Sequence, residues 1–122
     1  MATRRPSQPL ELYPSFRAVI AAASPIAELA FRVRAKDNLP TDATGMVGTL
    51  AIACGDLADG FASPPESRRR RIAHQRAWIA VREIDRAVVA CGRQKLAPPD
   101  VVKRAQRAID RADVLIGALL PF

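Results

Sequence analysis

Histidine is almost missing from this sequence: His74 is the single one in 122 residues. It has no HExxH context and no paired cysteines to complete a zinc site, and no Glu-x-x-His pair of the di-iron bundle kind is present. It reads as a polar residue at a helix surface or edge. Cysteine is as sparse. Cys54 and Cys91 lie far apart with no CxxC spacing, and they read as reduced, small core residues, a disulfide being the less favoured alternative. Aromatic residues make up only 5% of the chain, whereas alanine is abundant. Strands of a sandwich favour aromatic and β-branched residues, so the composition points to close-packed helices. No apolar run approaches the roughly 18 residues of a membrane span. Met1-Ala2-Thr3-Arg4-Arg5 leads into Pro6 instead of an apolar stretch, which is unlike an ordinary secretory signal. The expectation is a cytoplasmic protein with no membrane contact.

Catalytic patterns are missing as well. No glycine-rich phosphate loop follows a strand, because no strand pattern exists. Asp56 and Asp59 are three apart and share one side of a helix, where two carboxylates are better suited to pairing with arginines of another helix than to holding a metal. No nucleophile and base stand together. The sequence therefore predicts a non-enzyme with no cofactor and no metal.

What is present suits one domain with one core. Apolar residues reach 49%. Residues 1–13, punctuated by Pro6 and Pro9, read as a flexible N-terminal tail, and 14–122 as the folded part. Four helical stretches follow. The first runs from Ser15 to Lys36 with Phe16, Val19, Ile20, Ala23, Ala27, Ala30 and Val33 on one face, and Pro25 is expected to kink it. Asp37-Asn38-Leu39-Pro40 stops it, and Thr41 or Asp42 caps a second helix over 43–62. Met46, Leu50, Ala53, Cys54, Leu57 and Phe61 form that helix's apolar face. Gly45, Gly48, Gly55 and Gly60 weaken it, which close approach of a neighbouring backbone would offset; a frayed segment is the alternative. Ser63-Pro64-Pro65 opens a third helix, ending at Cys91 with Gly92 as terminator. Its stripe is Ala73, Ala77, Ala80, Ile84, Val88 and Cys91. Pro98-Pro99-Asp100 opens a fourth, running to Leu120, with Val101, Ala105, Ala108, Ala112, Leu115 and Leu119 aligned and Ile109 and Ile116 beside them. Short loops make neighbours antiparallel. The fold class is all-α, an up-down-up-down four-helix bundle.

Charge is unevenly placed. The chain carries +7 overall, while residues 1–65 are balanced. Residues 66–95 hold Arg68, Arg69, Arg70, Arg71, Arg76, Arg82, Arg86, Arg93 and Lys95 against only Glu66, Glu83 and Asp85. Arg104, Arg107 and Arg111 add to them from the fourth helix. Arg68, Arg71, Gln75, Arg82, Arg86 and Arg93 fall near one face, positioned to follow a phosphate backbone. A solvated face is the plainer reading of any one of them. Four arginines at a helix N-terminus, however, oppose the helix dipole, and that placement favours an anionic partner. An acidic protein surface is the other candidate. Trp78, with Ile79 and Val81, lies beside the narrow core stripe and reads as either a wide core edge or a subunit contact. The unbroken apolar run 77–81 favours a homo-oligomer.

Several stretches carry a family likeness. Arg17-Ala18-Val19-Ile20 with Ser24-Pro25-Ile26-Ala27-Glu28, Asp56-Leu57-Ala58-Asp59-Gly60-Phe61, and Leu96-Ala97-Pro98-Pro99-Asp100-Val101-Val102 followed by Ala105-Gln106 and Leu115-Ile116-Gly117 stand in the order of a bacterial four-helix-bundle family. That family includes proteins encoded in intervening sequences of large ribosomal RNA genes. It also includes Avd, the accessory variability determinant of diversity-generating retroelements. The chain resembles it over about residues 14–120. Gln75 and Arg76 stand where the wider family often has Gly-Ser, which leaves the Avd-like branch ahead.

The resemblance implies a homopentamer with a basic surface that binds a reverse transcriptase and its template RNA, with DNA as a further polyanion, and that has no active site of its own. The arginines of the third and fourth helices named above, with Lys95, would contact phosphates. The second expectation is a protein-interaction bundle of the intervening-sequence type with no nucleic-acid role. A small enzyme or cofactor bundle is the third.

Overall fold

The computed structural model describes residues 8–34 and 45–120. Four helices carry the fold: α1 (Pro14–Arg34), α2 (Met46–Ala62), α3 (Arg68–Arg93) and α4 (Pro99–Gly117). No strand occurs among the described residues. α1 packs on α2 and α4, and α3 packs on the same two, so the helices close a four-membered ring. Cross-helix pairs fix their directions. Tyr13 at the start of α1 stacks on Phe61 at the end of α2. Asp59 late in α2 meets Arg69 early in α3. Trp78 and Asp85 of α3 meet Asp113 and Gln106 of α4, in reversed order. The arrangement is an antiparallel, up-down-up-down four-helix bundle.

The core is built from small and medium side chains. Val19, Ile26, Leu29 and Val33 of α1, Met46 and Leu57 of α2, Ala77, Val81, Ile84 and Val88 of α3, and Ala105, Ile109 and Ile116 of α4 are fully buried. The α3 stripe is the one its sequence predicts. On α1 the prediction is rotated: Ile20, Ala23 and Ala27 face solvent, while Ala22, Ile26 and Leu29 fill the core. Both sides of this helix are apolar, so period alone selects neither; the larger Ile26 and Leu29 take the interior. α1 runs unbroken past Pro25.

The ends of the helices also differ from expectation. Ser67, not Ser63, caps α3, its hydroxyl accepting from the Arg70 N–H at 3.2 Å. Ser63 instead closes α2, donating its hydroxyl to the Asp59 carbonyl at 2.8 Å. Two prolines between them hold the chain out of the helix until Arg68. α3 runs through Gly92, and Lys95 takes the left-handed conformation (φ 54°) usually left to glycine. The Leu96 N–H reaches the Cys91 carbonyl at 3.0 Å and the Lys95 N–H reaches Gly92 at 3.2 Å, the two bonds of a Schellman ending. Leu10–Leu12 form a 3-10 turn, and Leu10 and Tyr13 pack against the core. Residues 1–7 of the expected tail, the Asp37–Pro40 stop, the Thr41 and Asp42 caps and the last two residues lie outside the described residues.

Candidate nucleic-acid interface

Burial of Ala73, Ala77, Ile84, Val88 and Cys91 fixes how α3 is turned. Arg68, Arg71, Gln75, Arg82, Arg86 and Arg93 are then carried outward, and all are exposed. At 1.5 Å per residue the ridge from Arg68 to Arg93 is about 37 Å long. Among the described residues no carboxylate forms an ion pair with any arginine of this ridge. Arg82 lies over the Trp78 ring at 4.8 Å from its centroid. The ridge is interrupted by Ile72 and Ile79, both exposed.

The remaining predicted cations separate into other groups. Arg69 is held by Asp59 at 3.0 Å on the α2 side. Arg76 lies there too, beside Asp56. Burial pushes the Asp56 carboxyl up, Arg76 pulls it down, and Asp59 adds to the rise. Arg70 turns inward, its guanidinium 5.3 Å over the Phe61 ring and donating to the Ser63 carbonyl at 3.5 Å. On α4, Arg104 is taken by Glu28 at 3.2 Å and Asp100 at 3.6 Å. Arg107 and Arg111 face solvent, and Lys95 sits exposed in the turn after α3. An acidic seam runs between α3 and α4. There Gln106 donates to both Asp85 and Asp110, and the Trp78 indole N–H donates to Asp113 at 2.8 Å. The cations of α3 and α4 therefore form two ridges and not one sheet of charge.

The three residues expected at a subunit contact divide. Val81 is fully buried in its own core and presents nothing to a second chain. Trp78 is half-buried and committed to Asp113 and Arg82. Ile79, 54% exposed, is the one that projects outward.

Sequence reasoning missed two features. His74, expected at a surface or edge, is only 3% exposed. It packs edge-on against Phe61 at 4.8 Å and has an unpartnered Nε2. Burial, helped by Arg70, pulls its pKa down to about 4. The second feature is a set of exposed apolar side chains on α1 and α2, namely Ile20, Phe31, Val47 and Ile52, with Phe31 at 72% and Ile52 at 62%. An apolar second face on α1 was its signal in the sequence. No cluster of three or more metal-ligating side chains exists among the described residues. Cys91 is buried, Cys54 half-buried, and both are free thiols. Burial raises both thiol pKa values, which favours the protonated thiol.

The fold and this surface define a basic four-helix bundle. No protein-family model, curated protein or solved structure matches the chain.

Proposed function

We propose that the protein is a non-catalytic nucleic-acid-binding accessory subunit of the Avd type, one that engages a reverse transcriptase and its template RNA in a diversity-generating retroelement. The α3 ridge carries the reading. Its five exposed arginines are spread over about 37 Å without a carboxylate partner among the described residues. Unpaired guanidinium groups in a row favour a polyanion of regular charge spacing over a scattered acidic surface. The polymerase, the RNA and the pentamer come from the family resemblance. A homo-oligomer would use Ile79 and other exposed apolar side chains, since Val81 is unavailable.

The test is binding of single-stranded RNA and duplex DNA across a salt series, with the mass of the free protein measured by light scattering. Five phosphate contacts give a slope of log K against log salt of roughly −3.5 for a single strand. A salt-independent or undetectable affinity at low salt removes the reading.

The exposed apolar side chains of α1 and α2 support a second reading, a protein-interaction module of the intervening-sequence type. In that case the chain captures a protein through Ile20, Phe31, Val47 and Ile52 and shows no affinity for RNA.

A further inference from the structure

At the end of the bundle where α3 begins, a cavity of about 510 Å³ is lined by Glu66, Arg70, Arg71, His74 and Leu119. That volume falls in the range of small-ligand sites. His74 is its unusual wall. The imidazole is buried, and Nε2 has no hydrogen-bond partner. Such groups are rare in folded proteins and call for a reason. The ring is seated by a specific device. A Cβ on Gly60 would fall 2.4 Å from Cδ2 and Nε2, so only glycine at this point of α2 leaves room for it. Phe61 holds the ring from another side. A buried orphan N–H is disfavoured more than a buried lone pair, so the proton of the neutral ring belongs on Nδ1. The Nε2–Cδ2 edge is turned toward Gly60, which puts Nδ1 on the other edge of the ring, in a residue that walls the cavity.

We propose that this cavity binds a terminal phosphate group, a phosphomonoester carried by a small molecule or by the end of a nucleic-acid strand. Arg70 is pre-set by Phe61 and the Ser63 carbonyl, and Arg71 stands beside it. Both belong to the first turn of a 26-residue helix, whose positive end favours an anion. Two guanidinium groups and Nδ1–H match in number the three terminal oxygens of a monoester. A diester within a strand offers only two. Glu66, on the lip with a left-handed backbone (φ 67°), opposes the anion but accepts from hydroxyl groups of its carrier. Leu119 supplies an apolar wall. Arg70 and His74 are not part of the outward α3 ridge, and Arg71 is the one residue that the site shares with it.

Because His74 is the single histidine, its ring resonances report on the cavity without ambiguity. The experiment follows them by long-range proton–nitrogen NMR at constant ionic strength. Inorganic phosphate is titrated first, then matched oligonucleotides with a 5′-phosphate or a 5′-hydroxyl. A saturable shift with phosphate is expected, weakened about tenfold or more in Arg70→Gln and strengthened in Glu66→Gln. A shift with the 5′-phosphorylated strand but not its hydroxyl twin makes strand ends a source of the group. A shift with inorganic phosphate alone makes the source a small molecule. The proposal is overturned if His74 is unmoved by phosphate, or if the shift is the same in Arg70→Gln and Glu66→Gln. Substituting Arg86 and Arg93 on the ridge leaves the phosphate shift intact, so loss of strand binding there and loss of this site are read separately.

Discussion

The outward faces of α2 and α3 are close to chemical opposites. α3 presents Arg68, Arg71, Arg82, Arg86 and Arg93 to solvent. α2 presents Gly48, Ile52 and Gly55, and its only charged residues, Asp56 and Asp59, lean toward the arginines of α3. Inward, the two helices are alike, each filling the core with small and medium apolar groups. Packing accounts for the inward half of each helix, and the outward halves diverge where packing imposes nothing. A monomer gains nothing from an unpaired row of guanidinium groups, nor from Phe31 and Ile52 in water. Under the function proposed above, a polyanionic partner would account for the arginine row and a protein partner for the exposed apolar groups.

The sharpest way to break that comparison is to neutralise the ridge. Replacing Arg68, Arg82, Arg86 and Arg93 by Gln should weaken RNA binding roughly a thousandfold at low salt and flatten the salt slope by about 3. Thermal stability should barely change, because none of these side chains holds a neighbouring helix by an ion pair. The paired control, Phe31→Ser with Ile52→Ser, should leave RNA affinity where it was. Equal losses from both variants in a filter-binding or fluorescence assay would mean that the two sides do not differ in function.

The next effect is on folding, at the junction of α2 and α3. An unfolded histidine titrates near 6.5, whereas folded His74 titrates near 4. Between those values the unfolded chain binds the extra proton and the folded chain does not. Stability is therefore intact above 6.5, falls as the pH is lowered, and has lost its full increment below about 4. The increment is about 3 kcal/mol. Urea melts at pH 7, 5 and 4 measure it. Carboxylates titrate in the same range, so the comparison is with His74→Gln, whose pH profile should be flatter by that amount. The seat of the ring gives a companion prediction. Gly60→Ala should cost about 1–3 kcal/mol by driving a methyl group into the imidazole, read as a lower urea midpoint.

Much of the bundle was legible beforehand, because narrow stripes such as Ala77–Ile84–Val88–Cys91 have a single apolar side. The rotation of α1 was not, since Ile20 and Ile26 compete on hydrophobicity alone and only the neighbouring helices decide between them. Nor was the start of α3. Ser63 and Ser67 are both good caps, and the choice turns on backbone angles at Pro64 and Pro65 that the letters do not encode. The outward ridge followed from spacing. The inward turn of Arg70 and the acidic seam beside Trp78 did not, because each needs a partner from another helix. His74 escaped for the same reason: its place depends on Gly60, fourteen positions away and on another helix.

The smallest effect bears most directly on the apolar side. Glycines in α2 were expected to mark close approach of a neighbouring backbone; of Gly48, Gly55 and Gly60 only Gly60 has a close neighbour, and that neighbour is the His74 side chain. A Cβ at Gly48 or Gly55 would meet nothing within 4 Å. In the isolated chain these two glycines only weaken the helix, so Gly48→Ala and Gly55→Ala should each stabilise it by about 1 kcal/mol, roughly 4 °C in Tm for a domain of this size. Gly60→Ala, one turn and a half further on, should do the reverse. If instead a second protein lies against α2, the added methyl groups meet its surface, and the gain in the free chain comes with loss of assembly. Melting curves and light scattering on the same samples separate the cases. A gain in Tm with unchanged mass means that this face of α2 makes no close contact in any assembly the chain forms by itself. A gain in Tm with a smaller assembly means that the glycines are there to let another backbone approach, and that this face of α2 is an interface between copies.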